Sequence, residues 1–284
     1  CLSTVQRLQE PMRTTIDITV KQPGKAIDAL SEAAPGLSRQ KIKDAMTKGA
    51  CWWTHKGKRL RLRRATKELK PGIRLQLYYD EKVLERKPEK PILLENAGRY
   101  TVWFKPHGLL AQGSQWGDHC SLLRLAEIQL EQPCHLIHRL DADAAGLMLI
   151  AHDSKAAGAL SQCFSGRTMT KHYKARVAGL IDAREQLVDA PVEGKAVVSR
   201  VSTLELDETG ETSLLEISIE TGRKHQIRRH LAGLGHPIIG DRLYGRPAGV
   251  PLQLLAFFLE FDCPLNKRKM TFELPAELSD LTLN

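Results

Sequence analysis

"HRLDADAAGLMLIA", residues 138–151, sets an ionisable cluster directly against an apolar run. His138, Arg139, Asp141 and Asp143 come first, Gly146 follows, and residues 147–151 carry no polar side chain. Such a run reads as a strand buried on both faces. In extended chain, alternate residues point the same way, so Arg139 and Asp141 share a side while Leu140 takes the other. A carboxylate at the mouth of a buried strand is partly desolvated, which is costly unless it is paired. Asp141 is therefore either one half of a structural ion pair or a reactive group.

The flanking sequence supplies the rest of a domain. "RYTVWF" (99–104), "HYKARVAG" (172–179) and "SLLEISIE" (213–220) alternate like strands. "HCSLLRLAEIQLEQ" (119–132) reads as a helix, and "SKAAGALSQCFSG" (154–166) as an amphipathic one with Ser154 as its cap. A further helix is expected over 224–234, with Ile227, Leu231 and Leu234 inward. Short turns between the strands predict an α+β fold, a mixed but largely antiparallel sheet with packed helices, over 92–284.

Upstream the chain changes character. Residues 1–15 read as an irregular arm, and residues 16–80 as a small basic α/β module. "LSRQKIKDAMTKG" (37–49) predicts a helix capped by Ser38 and ended by Gly49, with Arg39 and Lys43 on one face. "HKGK" (55–58) and "KPG" (70–72) are turns; "RLRLR" and "IRLQL" after them alternate as strands. "EKVLERKPEKP" (81–91), charged and holding two prolines, reads as a linker.

The 284-residue chain has a net charge of +9, which favours a polyanionic partner, nucleic acid first. Its longest apolar runs fall far short of the ~20 residues of a membrane span, so no membrane association is expected. Six scattered cysteines without a C-x-x-C pair read as free thiols of a reducing compartment, and the expected location is cytoplasmic. The first twenty residues, broken by Pro11, do not read as a secretion signal; the chain opens on Cys1 rather than Met, so residues can precede it.

Two further clusters carry chemistry. "TGRKHQIRRHLAGLGHPIIGDRLYG" (221–245) holds Arg223, Lys224, Arg228, Arg229 and Arg242 among three histidines. It is either a solvated basic helix or a source of an arginine for a distant carboxylate, with the other charges left for phosphate. In "KHYKARVAG" (171–179), Tyr173 shares a strand face with Ala175 and Val177, a core position that can also stack on a base. Cys134, His135 and His138 hint at a metal, but no second ligand pair accompanies them, and no metal is expected. No phosphate loop, dinucleotide fingerprint or G-x-S-x-G elbow occurs.

Taken together and in this order, the clusters resemble the RluA-type pseudouridine synthases. The family pattern H-R-L-D-x-x-T-S-G-L-L-L is matched by His138, Arg139, Leu140, Asp141, Gly146, Leu147 and Leu149. K-x-Y-x-A is matched by Lys171, Tyr173 and Ala175. G-R-x-H-Q-I-R-x-H is matched from Gly222 to His230, and G-H-P-x-x-G-D-x-x-Y-G from Gly235 to Gly245. "FKPHGLL" (104–110) is similar to the family's K-P-x-G-L segment, and the 37–49 helix with "KPG" resembles an S-four-type RNA-binding module. One departure stands out: Ala144 and Ala145 occupy the places of the family's Thr-Ser.

The resemblance implies an isomerase that converts chosen uridines of structured RNA to pseudouridine, needing no cofactor. Asp141 would be the essential carboxylate, Arg228 its partner and Tyr173 the residue stacking on an extruded uracil. Arg139 would fill the gap in the RNA. Arg223, His225, Arg39 and Lys43 would meet RNA. Ribosomal RNA is expected ahead of transfer RNA, and no obligate protein partner is implied. The rival reading is a non-catalytic RNA-binding or ribosome-assembly protein that keeps the fold; the two alanines favour it, and the joint presence of Asp141, Tyr173 and Arg228 opposes it.

Overall fold

A computed structural model describes residues 11–87, 89–166 and 168–281. Cys1 and most of the arm expected at 1–15 lie outside the described residues. The chain divides into two compact units, Cys1–Pro88 with Gln112–Arg124, and Glu89–Ala111 with Leu125–Asn284.

The smaller unit is built on a four-stranded antiparallel sheet, ordered Arg13–Thr19, Arg74–Asp80, Cys51–His55, Lys58–Arg61. In Arg74–Asp80 every second residue is buried, so Leu75, Leu77 and Tyr79 form one face of the core. Helices Ala26–Ala33 and Arg39–Thr47 supply Leu30, Ile42, Ala45 and Met46 to the same core. The second helix starts as its sequence demands: Ser38 Oγ accepts the N–H of Lys41 at 3.2 Å. The "HKGK" turn places both Lys56 (φ 48°) and Gly57 (φ 74°) in the left-handed region, the geometry of a tight two-residue hairpin.

Two parts of this unit depart from the sequence reading. Glu81–Leu84, expected as the start of a linker, is a helical turn capped by Asp80, whose carboxylate accepts the N–H of Val83. Segment 112–124, expected with the larger domain, belongs to the smaller unit because Asp118 binds Arg61 and Arg63, and Gln115 O accepts from Trp52 Nε1. Those contacts join residues more than fifty positions apart, which no local pattern announces.

The larger unit has one long mixed sheet, ordered Gln186–Val188, Ser199–Leu206, Thr212–Ile219, Thr170–Ala178, Leu254–Asp262, Ala145–Ala151, Tyr100–Lys105, Ile92–Asn96. Neighbours along it run antiparallel, except that Ala145–Ala151 lies parallel to Leu254–Asp262. All seven residues of Ala145–Ala151 are buried, as the unbroken apolar run requires. At the parallel crossing Gly146 (φ 130°) faces Ala256, and a Cβ there would stand 2.2 Å from the Ala256 carbonyl oxygen. Glycine is the residue that fits.

Helix Ser154–Ser165 buries Ala156 and Leu160 against this sheet's core. Its cap is Asp153, not Ser154: the Asp153 carboxylate accepts the N–H of Ala156 at 2.8 Å while holding Arg99 through two bonds. Helix Gln226–Gly233 turns Ile227 and Leu231 inward as expected, but Gln226, Arg228 and His230 are buried with them. Buried polar groups on a core-facing helix need partners, and those partners build the site.

Candidate active site

The loop 138–144 leads into strand Ala145–Ala151 and lies over a cleft lined by Arg139, Leu140, Asp141, Ala144, Tyr173, Arg223, His225 and Arg228. The three residues read as catalytic and three of the five read as RNA-binding thus converge, though up to 89 residues separate them in sequence. Arg39 and Lys43 lie elsewhere, exposed on helix Arg39–Thr47 of the smaller unit, where Arg39 also pairs with Asp28 at 2.8 Å.

Arg228 organises the cleft floor. Its side chain is 3% exposed, and NH1 reaches Asp141 Oδ2 at 3.4 Å. Its shorter bonds go to Asp241: Nε and NH2 donate to the two carboxylate oxygens at 2.8 and 2.7 Å. The N–H groups of Leu243 and Tyr244 donate to Asp241 Oδ1 as well. Burial works against the charge on Asp241, but Arg228 and the two backbone donors prevail and hold its carboxyl below the usual range. The sequence reading pairs Arg228 with Asp141 alone; its tighter partner is Asp241. The clue was a carboxylate lodged in the glycine-flanked "GDRLYG" turn shortly after a run of arginines.

Asp141, by contrast, keeps 31% of its side chain open. Its loop is held by its backbone. Lys105, fully buried, donates its three ammonium hydrogens to the carbonyls of Pro106, Leu109 and Ala142. Gly108 N–H also binds Ala142 O, His107 Nδ1 stands 2.7 Å from Asp143 O, and Arg242 pairs with the Asp143 side chain. These contacts fix the loop where Ala144 and Ala145 provide no hydroxyl. Desolvation pushes Lys105 down to about 7, against the opposing pull of Asp141 and Asp143.

Tyr173 is half-buried on strand Thr170–Ala178; burial first, then the charge of Asp141, raises its phenol above the usual value. Arg139 and Arg223 are exposed on the rim. His138 serves packing: its ring stacks on Phe164 at 3.9 Å, and Nε2 accepts the N–H of Leu149 at 3.0 Å. Desolvation, with Lys171 nearby, pushes it down to about 3. Among the described residues no group of three or more His, Cys, Asp or Glu side chains stands together as a metal cage, and the five described cysteines are free thiols. Among the described residues no helix is long and apolar enough to cross a membrane.

Comparison with known proteins identifies relatives of this chain. Residues 99–233 match the family model described as RNA pseudouridylate synthase. An RNA pseudouridine synthase of Aquifex aeolicus is 31% identical, covering 86% of this chain and 88% of its own. The dual-specificity RNA pseudouridine synthase RluA of Salmonella typhimurium is 32% identical, covering 67% and 96%. In fold, the human RNA pseudouridylate synthase domain containing 1 is similar with a TM-score of 0.56 at 23% identity, over 67% of this chain and 86% of that one. The chain thus belongs to the RluA-type RNA pseudouridine synthases, isomerases that act on RNA.

Proposed function

We propose that this protein isomerises uridines of folded RNA with Asp141 as the essential carboxylate, on a base flipped out of its stack. The observation that carries the reading is one cleft lined by Asp141, Arg228 and Tyr173, with Arg228 NH1 3.4 Å from Asp141 Oδ2. In the reaction the bond from ribose C1′ to uracil N1 breaks and one from C1′ to C5 forms. C5 loses a hydrogen and N1 ends with one, so no oxidant or reductant is consumed. Asp141 is the carboxylate open to substrate, and Arg228, locked by Asp241, fixes where its charge sits. Tyr173 stacks on the extruded uracil. Flipping costs a few kcal/mol, which Arg139 offsets by filling the vacancy; Arg223 meets the flanking RNA, whereas His225, read from the sequence as RNA-binding, turns its ring nitrogens to Asp141 and Tyr244.

We assign residues 16–80 to an S-four-type RNA-binding module, 81–91 to a linker and 92–284, apart from the segment 112–124 that packs within the smaller unit, to the catalytic domain. Arg39 and Lys43 of the module grip phosphates without regard to sequence, so binding weakens steeply with salt. The favoured substrate is ribosomal rather than transfer RNA, modified in the cytoplasm. The test is Asp141→Asn: purified variant and wild type are incubated with RNA and pseudouridine is mapped. The variant should bind RNA within about threefold of wild type while its rate drops by roughly a thousandfold or more. Product at the wild-type rate rejects the assignment.

A further inference from the structure

Asp141 has a second neighbour. His225 Nε2 stands 3.6 Å from Oδ2, the same oxygen that meets Arg228. The His225 backbone lies in the left-handed region at φ 56°, an unfavourable conformation for a residue with a Cβ, retained where the surroundings impose it. Tyr244 helps impose it. Its hydroxyl is 3.0 Å from His225 Nδ1, and the two rings meet edge-on at 5.6 Å. The same hydroxyl oxygen accepts Nε–H of Arg229 at 3.0 Å. With that donor on one lone pair, the phenolic hydrogen is free to point at Nδ1. Nδ1 is then the acceptor, and the ring hydrogen resides on Nε2, facing Asp141.

The charges call for such a group. One guanidinium, Arg228, touches two carboxylates, Asp141 and Asp241. His225 is a titratable side chain in contact with this set that can add a second positive charge. Desolvation opposes its protonation most strongly, Asp141 favours it, and Arg228, Lys224 and Arg229 oppose it; Tyr244 faces the other ring nitrogen.

We propose that His225 is a positioning residue that sets the availability of Asp141. As neutral imidazole it faces the carboxylate with Nε2–H from 3.6 Å, outside hydrogen-bond range, and leaves it free for substrate. As imidazolium it closes a second ion pair on Oδ2 and withdraws that oxygen from the reaction. The imidazole exchanges one proton with solvent and forms no covalent bond. The inference rests on the reading of Asp141 given above.

The experiment is single-turnover kinetics at saturating enzyme, using RNA tritiated at uracil C5, between about pH 5 and 8. Tritium release counts product, because C5 loses its hydrogen. The wild-type rate should fall about threefold or more from neutrality to pH 5, along a limb centred below the ordinary imidazole value. His225→Gln, which offers Asp141 an amide N–H that does not titrate, should be slower throughout, yet its rate should vary by less than about 1.5-fold over that range. Tyr244→Phe removes the donor to Nδ1 of the neutral ring and should move the limb to higher pH. A wild-type rate flat to pH 5 overturns the proposal. So does a limb of unchanged midpoint and depth in the glutamine variant or, should that variant not fold, in Tyr244→Phe. Asp141→Asn is run alongside: tritium release by that variant rejects the reading of Asp141 itself, whereas its silence with an unchanged limb in the histidine variant rejects the present inference alone.

Discussion

Two carboxylates meet the same guanidinium, one from the loop 138–144 and one from the turn 241–245. Asp241 is fully buried and takes four donors, two from Arg228 and two from backbone N–H groups. Asp141 is about a third exposed and has contacts of 3.4 and 3.6 Å. A carboxylate whose lone pairs are filled is scaffold; one whose lone pairs are half-empty can meet a substrate. Chemical type and partner are the same on both sides, so the number of donors and access to solvent separate the roles.

The sharpest way to break this comparison is to remove each carboxylate in turn and measure stability by denaturant unfolding. Asp241→Ala leaves a buried arginine without its tight partner and should cost about 3–5 kcal/mol. Asp141→Ala, at an open site, should change stability by less than about 1 kcal/mol. Equal losses would show that the two carboxylates do not differ as described.

A saturated ring nitrogen sharpens the same point. His138 Nε2 accepts the N–H of Leu149, and desolvation, with Lys171 nearby, keeps the folded protein from protonating the ring until about pH 3, whereas the unfolded chain takes up a proton near pH 6.5. Below pH 6.5 the unfolded state therefore binds more protons, and stability falls with pH by about 1.4 kcal/mol per unit from this residue. His138→Asn should flatten that slope by one proton's worth, read from unfolding curves between about pH 6 and 4. An unchanged slope would mean that the ring titrates alike in both states.

The smallest effect belongs to the rim. Arg223 is exposed beside the cleft. Arg223→Ala should lower the slope of log affinity for RNA against log salt by about 0.7 to 0.9, the share of one phosphate contact, with no change in stability. A salt slope equal to wild type would remove Arg223 from the RNA path.

Much of the fold was legible because local rules sufficed. The buried strand 145–151 announced itself by five residues without a polar atom, and the Arg39–Thr47 helix by Ser38 before its apolar stripe. Asp141 and Tyr173 stood out by residue type and position, whereas Arg228 was picked from a cluster of five cations by the resemblance to the family. What stayed hidden depended on partners distant in sequence. Asp153 displaced Ser154 as a helix cap because its carboxylate also grips Arg99, 54 positions earlier. Segment 112–124 joined the smaller unit through Asp118 and two arginines more than fifty positions upstream. Asp241 lies in a turn motif visible in the sequence, but its hold on Arg228 arises from the packing of helix against turn.

The contact between Gly146 and Ala256 bears on how this enzyme could be retargeted. Two main chains touch there with no side chain between them, just where the loop 138–144 enters the sheet. Position 146 is thus closed to diversification, since any larger residue would wedge the sheet apart and swing the loop away. Libraries aimed at new uridines are better spent on exposed rim positions such as 139 and 223, which can change without moving that weld.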